Sequence, residues 1–235
     1  MIEKSRIQKK FEKQIGNYDK NAVVQKEMAK KLVSLLGEKH YDNILEIGSY
    51  SGILTSKIKE NIDFSNYLAL DVVEKSKDYL EKIDKKIIFK KADVEEFSTN
   101  DKFDLIISNA ALQWCCDFEG TIKKLKRFLT PNGVLAVSIF SPENLKEIRE
   151  TFNVSLLYPP KELLNSLFSK VIYSEEMPLK FNTPTDVLKH LKLTGVNSLS
   201  SSPLTYKQIK EHLKVLEEEY QNTLTYTPVY LVYKN

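Results

Sequence analysis

Glu46, Gly48, Gly52 and Asp71 are the residues of this chain whose types and spacing are best suited to chemistry. The run Ile44-Leu45-Glu46-Ile47-Gly48-Ser49-Tyr50-Ser51-Gly52 reads as a short apolar strand that meets an acid and turns through glycine into a helix. Glycine at such a turn adopts dihedrals closed to other residues and lets a ligand come close to the backbone. Twenty-five residues beyond Glu46, the strand Tyr67-Leu68-Ala69-Leu70 ends in Asp71. An acid at that place typically holds ribose hydroxyls. The pair predicts a nucleoside-containing ligand.

Charge narrows the choice of nucleoside. The phosphate-binding pattern GxxxxGK[ST] is absent, and so is the dinucleotide pattern GxGxxG, since residues 48–53 read Gly-Ser-Tyr-Ser-Gly-Ile. Glu46 would repel a pyrophosphate and attract an ammonium or sulfonium group. S-adenosylmethionine carries both cations and no phosphate. Methyl transfer is therefore favoured over hydride or phosphoryl transfer.

Such residues need a scaffold that brings strand ends together. Strand candidates at 44–47, 67–70, 86–90, 103–108 and 133–140 alternate with helices near 52–60, 74–83 and 117–129. Pro131-Asn132-Gly133 marks a turn before the fifth strand. The alternation predicts an α/β fold with a doubly wound, mostly parallel sheet and ligands at the carboxyl ends of its strands. Val24, Met28, Leu32, Leu35 and Leu36 recur at helical spacing and predict a helix over 21–36. The first dozen residues, rich in lysine (Lys4, Lys9, Lys10) with Arg6, read as a mobile or lid-like arm. Beyond 141 the pattern predicts helices at 142–152 and 160–168 and a strand-like stretch at 170–181. A helix at 184–193, a loop at 195–203, a helix at 206–222 and a closing strand from Leu224 to Tyr233 follow. The expected organisation is one domain over 1–235: a cap to 40, a cofactor-binding core over 41–140, then lid elements and the last strands.

Composition excludes several classes. Thirty-five basic residues against 32 acidic ones leave a net charge of +3, too little for a bulk nucleic-acid binder. Arginine occurs only as Arg6, Arg127 and Arg149, so bidentate anion recognition has few candidates. Cys115 and Cys116 are adjacent, which disfavours a bridge between them, and His40, His190 and His212 are scattered, which disfavours a metal site. No signal peptide and no run of 18 apolar residues is evident, so the expectation is a soluble, cytoplasmic protein without a membrane partner.

With these residues in place, the chain resembles the class I S-adenosylmethionine-dependent methyltransferases. More narrowly, it is similar to the malonyl-acyl-carrier-protein O-methyltransferases that begin the pimelate moiety of biotin. The segments that carry the narrower resemblance are Tyr18-Asp19-x-x-Ala22-x-x-Gln25 and Ser108-Asn109-Ala110-Ala111-Leu112-Gln113-Trp114-Cys115. Leu191-Lys192-Leu193-Thr194-Gly195 and Leu224-Thr225-Tyr226 complete them. The resemblance implies a seven-stranded sheet with an antiparallel last strand. It also implies that Glu46, Gly48 and Gly52 face the methionine part of the cofactor, with Asp71, and Val72 beside it, on the ribose. Asp93 and Val94 would meet the adenine, and Asn109 would sit below the sulfonium. The family usually has a glycine where this chain has Tyr50. A tyrosine there either crowds the methionine tail, weakens the cofactor, or points to solvent with the backbone unchanged.

Methylating a carboxylate needs no general base, because the nucleophile is ionised at neutral pH. Orientation and exclusion of water then carry the catalysis. Tyr18 and Gln25 are candidates to close over the cofactor and Trp114 to wall the transfer cavity. Arg149 and Lys192 are candidates for the malonyl carboxylate. The acidic carrier protein that the resemblance implies would dock on Lys123, Lys124, Lys126 and Arg127 or on the N-terminal arm. Two other readings stay open: methylation of another small carboxylate or quinone precursor, and a non-catalytic binding partner of methyltransferase shape.

Overall fold

A computed structural model describes residues 4–37, 40–154, 158–194 and 205–235. Helices α1 (Lys4–Asn21) and α2 (Val23–Ser34) precede strand β1 (His40–Ile47). Helix α3 (Ile53–Asn61), β2 (Asp63–Asp71), α4 (Ser76–Ile83), β3 (Ile88–Lys91) and β4 (Phe103–Asn109) follow. A 3-10 turn at Leu112–Trp114 leads to α5 (Phe118–Arg127) and β5 (Leu129–Phe140). The chain continues through α6 (Lys146–Phe152), α7 (Lys161–Leu167), β6 (Lys170–Tyr173), β7 (Met177–Lys180) and α8 (Pro184–Leu193). Helix α9 (Tyr206–Glu218), β8 (Thr223–Tyr226) and β9 (Pro228–Lys234) close it.

Seven strands form one sheet in the order β3-β2-β1-β4-β5-β9-β6, and β7 pairs with β8 in a separate ribbon. Strands β1 to β5 pair in parallel, whereas β9 is antiparallel to both β5 and β6. The order reverses between β1 and β4, and a parallel sheet opens a crevice at the carboxyl ends of the strands flanking such a point. The central strands read as continuous apolar runs because both faces of the sheet are covered. Alternate residues enter opposite layers: Ile44, Leu105 and Ile107 join α2, α3 and α4, while Leu45, Ile106 and Leu135 join α5 and α7.

The expected core is therefore present, with boundaries that move. The stretch 170–181 is two strands, β6 and β7, in different sheets, and 224–233 is likewise β8 and β9. The break at Thr227 is pinned: its N–H donates to Asn144 Oδ1 (3.0 Å) and its carbonyl accepts from the Ser141 N–H (2.9 Å). The helix expected over 206–222 stops at Glu218. The first dozen residues are no loose arm from Lys4 onward but part of a continuous helix, α1. The loop expected at 195–203, with Gly195 of the Lys192 segment, lies outside the described residues.

Pro131-Asn132-Gly133 lies inside β5 rather than before it. The register against β4 jumps from Phe103↔Leu129 to Leu105↔Val134, so this tripeptide is a bulge. A Cβ at Gly133 would stand 2.9 Å from the Phe103 carbonyl oxygen and 3.0 Å from that of Thr130, both backbone atoms with no room to yield. Gly133→Ala is expected to lower the free energy of unfolding by about 1–3 kcal/mol in urea titration. An unchanged midpoint would mean the bulge repacks freely.

Candidate active site

The glycine turn is built by backbone donors that find acceptors on the tip of β2. The Gly48 and Ser49 N–H groups donate to the Leu70 carbonyl (2.8 and 3.1 Å). Asp71 then takes the Tyr50 N–H on Oδ2 and the Val73 N–H on Oδ1, each at 2.8 Å. Gly48 and Gly52 have φ of 74° and 83°, and a Cβ at either would lie 2.3 Å from a side-chain carbon, of Ala111 or Ile83 respectively. Both positions need glycine for conformation and for space.

A cavity of about 560 Å³ opens at the tips of β1 to β4, within the range of small-molecule and cofactor sites. Tyr18, Gln25, Gly48, Asp71, Val72, Asp93, Val94, Asn109 and Trp114 all line it, so the structure gathers most of the residues singled out above. Asn109 is held from both sides: its amide donates to the Gln25 carbonyl (3.0 Å) and its oxygen accepts from Ser138 Oγ (2.6 Å). Asp93 Oδ1 accepts the Glu95 N–H (2.9 Å), a local turn bond, while Oδ2 takes Lys4 Nζ at 2.5 Å. Lys4 also pairs with Glu95. Burial lowers the affinity of Lys4 for its proton, but the bonds to the two carboxylates outweigh it and hold the ammonium above its ordinary value.

Four expected site residues lie elsewhere. Gly52 shapes the turn and caps α3 without lining the cavity. Glu46 is fully buried in the layer beneath, where its Oε2 accepts from Thr55 Oγ1 (2.6 Å) and the Tyr67 hydroxyl (2.5 Å). It shares the face of Ile44, so strand alternation turns it into the core and away from a ligand. Lys192 is exposed on α8. Arg149 is spent locally, donating from Nη1 to the Pro142 carbonyl (2.9 Å), with Nη2 3.6 Å from Glu150. Neither cation lines the cavity.

The structure adds residues that the motifs did not mark. Lys4, Gln8 and Phe11 of α1 line the cavity together with the expected Tyr18, at spacings of four, three and seven that share one helical face. Tyr50, at φ 42°, does not point to solvent. Its ring stands edge-on to Phe11 and Tyr18 (centroids 5.2 and 4.7 Å), and its hydroxyl donates to the Phe11 carbonyl at 2.8 Å. The side chain in the glycine position thus ties the turn to α1.

Two carboxylates titrate far from their usual range. Burial pushes Glu46 up to about 7 against the lowering pull of Thr55 and Tyr67. Burial likewise pushes Asp71 up to about 6, although the Val73 and Tyr50 N–H groups pull it down.

A family described as a methyltransferase domain matches residues 45–137. Among solved structures, the N-methyltransferase NodS from Bradyrhizobium japonicum WM9, in complex with S-adenosyl-L-homocysteine, superposes with a TM-score of 0.61 at 16% identity. That match covers 97% of this chain and 98% of the other. The fold is that of the class I methyltransferases. A malonyl-[acyl-carrier protein] O-methyltransferase from Calditerrivibrio nitroreducens is 36% identical over 94% of this chain and 93% of its own length. One from Haemophilus influenzae is 34% identical over 88% of this chain and 84% of its own. The chain belongs to the malonyl-[acyl-carrier protein] O-methyltransferase family. Among the described residues no helix is long and apolar enough to cross a membrane.

Glu46 gives the protein a pH signature. It titrates near 4.5 when unfolded and near 7 when folded, so the folded state holds the proton more tightly. The resulting stabilisation is complete below about 4.5 and is lost as pH rises through about 7; Asp71 adds the same sign at lower pH. Thermal melting should therefore weaken as pH climbs across this window. Glu46→Gln should remove up to about 3 kcal/mol of that dependence; a slope unaltered by the substitution would assign it elsewhere. A second expectation concerns α1. Tyr50→Gly removes one hydrogen bond and two ring contacts, each of order 1 kcal/mol. Amide exchange in α1 should accelerate about tenfold or more while the central strands keep their protection. Equal exchange in both proteins would show that Tyr50 does not hold the helix.

Proposed function

We propose that this chain uses S-adenosylmethionine to methylate the free carboxylate of malonate carried as a thioester on acyl carrier protein, the opening step of pimelate synthesis for biotin. The observation that carries the reading is kinship along nearly the whole chain with relatives named for that reaction. The volume of the cavity, about 560 Å³, and its lining support such a cofactor. Its glycine turn closes where a Cβ at Gly48 would collide, and the Asp71 carboxylate stands at the strand tip suited to ribose hydroxyls. Asp71 and Val72 would hold the ribose, Asp93 and Val94 the adenine, and Gly48 and Asn109 the methionine end. Bound there, the cofactor would supply a methyl group on a positively charged sulfur.

The chain's own residues then orient and exclude. A carboxylate is already ionised at neutral pH, so no proton is moved and no general base is required. In that transfer a carboxylate oxygen would take up the methyl group, and the sulfur would keep the electron pair of the broken carbon–sulfur bond. Tyr18, Gln25 and Trp114 wall the space where this happens, and a dry wall favours a reaction in which opposite charges cancel. Catalysis by this reading is positional.

Docking of an acidic carrier falls to α1 more than to α5. Lys123 pairs with Glu119 (2.6 Å), Lys124 binds the carbonyls of Val94 and Glu95, and Lys126 lies over the Tyr233 ring at 3.8 Å. Lys9 and Lys13 are exposed on the helix that borders the cavity. Charges so placed would speed encounter and set orientation. A methyl ester, unlike the carboxylate, passes into apolar channels without the cost of burying charge, which gives the product a use in chain elongation.

The test is transfer of label from methyl-labelled S-adenosylmethionine to malonyl-acyl carrier protein, with intact mass of the carrier as readout. The expected result is a gain of one methyl on the acyl group. Binding of S-adenosylhomocysteine without transfer would overturn the acceptor, and absence of both would overturn the enzyme. Asp71→Asn should weaken S-adenosylhomocysteine binding about ten- to hundredfold in calorimetry, the worth of hydrogen bonds to a charged group. Unchanged affinity would remove Asp71 from the ligand.

A further inference from the structure

A second cavity of about 20 Å³ lies beside the large one, and Phe11, Tyr18, Gln25, Ala110 and Trp114 line both. It has room for one or two water molecules, the scale of a carboxylate's two oxygens. Its remaining wall includes Gln113, Asn144, Tyr158 and Tyr226. No lysine or arginine among the described residues lines it.

The polar groups here are prearranged and neutral. The Thr227 N–H fixes Asn144 by donating to its Oδ1, and Asn144 Nδ2 donates to the Tyr158 hydroxyl oxygen at 2.8 Å. With that oxygen already accepting, the Tyr158 proton is left to be given elsewhere. Tyr158 and Tyr226 both pack against Phe140, with centroids 6.5 and 5.6 Å away. The Tyr226 hydroxyl meets His190 Nε2 at 2.9 Å, and burial pushes His190 down to about 4, so this pair carries no charge at neutral pH. Gln113 is 9% exposed, and its Oε1 is buried without any hydrogen-bond partner. A buried polar atom left unpaired is costly and rare. A half-turn of the amide exchanges that oxygen for an N–H donor.

We propose that this small cavity is the seat of the acceptor's carboxylate, held by the neutral donors of Tyr158 and Gln113, with no cation supplied by the described residues. The inference rests on the carboxyl-methylation reading above. A lysine or arginine here would repel the sulfonium and weaken the nucleophile it grips. With neutral donors, the positive charge that balances the carboxylate is the sulfonium itself, so substrate and cofactor complement one another. Once methylated, the acceptor is neutral, its partner is no longer charged, and the attraction that seated it is gone. Arg149 and Lys192 take no part in this seat.

The experiment compares Tyr158→Phe, Gln113→Leu, Arg149→Gln and Lys192→Gln in steady-state methylation of malonyl-acyl carrier protein, with S-adenosylhomocysteine affinity and melting temperature measured for each. Tyr158→Phe and Gln113→Leu should lower kcat/KM about ten- to hundredfold, mainly through KM. Their S-adenosylhomocysteine affinities should stay within about threefold of wild type. Gln113→Leu should keep or raise the melting temperature, because it removes an unpaired buried oxygen. A fold defect would lower activity and melting temperature together, so this variant separates the two. Both variants matching wild type, or a larger loss in Arg149→Gln or Lys192→Gln, would overturn the neutral seat. If wild type ignores the malonyl carrier but methylates a free carboxylic acid, and Tyr158→Phe and Gln113→Leu still suffer, the seat stands and the carrier-bound acceptor falls. Methylation of no carboxylate at all would overturn both.

Discussion

The Asp71 carboxylate and the carbonyl of the residue before it gather four backbone donors from two loops at the tip of β2. Gly48 and Ser49 converge on the Leu70 oxygen, and Tyr50 and Val73 on the two oxygens of Asp71. A buried donor without an acceptor costs a few kcal/mol, so this convergence decides which turn the chain can make after β1. It also holds Gly48, Tyr50 and Gly52 at positive φ, a region that is unfavourable for tyrosine by roughly 1–2 kcal/mol. The crevice wall, the start of α3 and the reach of Tyr50 toward α1 all follow from where Asp71 sits. Burial makes the acid harder to ionise, and the same N–H groups that it organises recover part of that cost.

Much of this was legible in the linear chain, and the failures have identifiable causes. Alternation of apolar strands with helices is a periodic signal, and β1 to β5 fall where it placed them. The tip residues Gly48, Asp71, Asp93 and Asn109 follow from it because a parallel sheet puts all its carboxyl ends on one side. Glu46 lies off the cavity because of strand parity. Two residues from Ile44 on the same strand, it must share that residue's face, and that face is packed by α3. The stripe Lys4, Gln8, Phe11, Tyr18 was equally visible, but the density of lysines between those positions hid it. Arg149 and Lys192 were chosen by charge, and charge does not say which way a helix faces. The ribbon of β7 and β8 depends on pairings distant in sequence, for which local pattern holds no information, and the antiparallel last strand beside the sixth follows only from the family resemblance.

The distribution of charge around the two cavities has a consistent logic. Cations near the rim are committed to carbonyls or carboxylates: Lys4 to Asp93 and Glu95, Lys91 to Glu74, and Lys124 to the carbonyls of Val94 and Glu95. Towards the smaller cavity the polar groups become amides, hydroxyls and a neutral imidazole. In a region of low dielectric an uncompensated charge is expensive, whereas neutral donors cost little to preorganise. For a reaction that merges an anion with a sulfonium, such an interior penalises the separated charges more than the transition state.

Helix α1 connects these features. Phe11 and Tyr18 wall both cavities, and Tyr50 fastens the same helix to the glycine turn. Displacing α1 would therefore open both cavities together. Its anchors differ in kind: at one end Lys4 is paired with Asp93 and Glu95, and in the middle the contacts are aromatic and depend on the turn that Asp71 builds. A group that engages Asp93 from the cavity competes with Lys4 for that carboxylate. A ligand at Asp93 would thus act on the ion-paired anchor of α1, and a ligand at the glycine turn on the aromatic one. Helix α1 is in this way joined to two places on the wall of the large cavity by anchors of different kind.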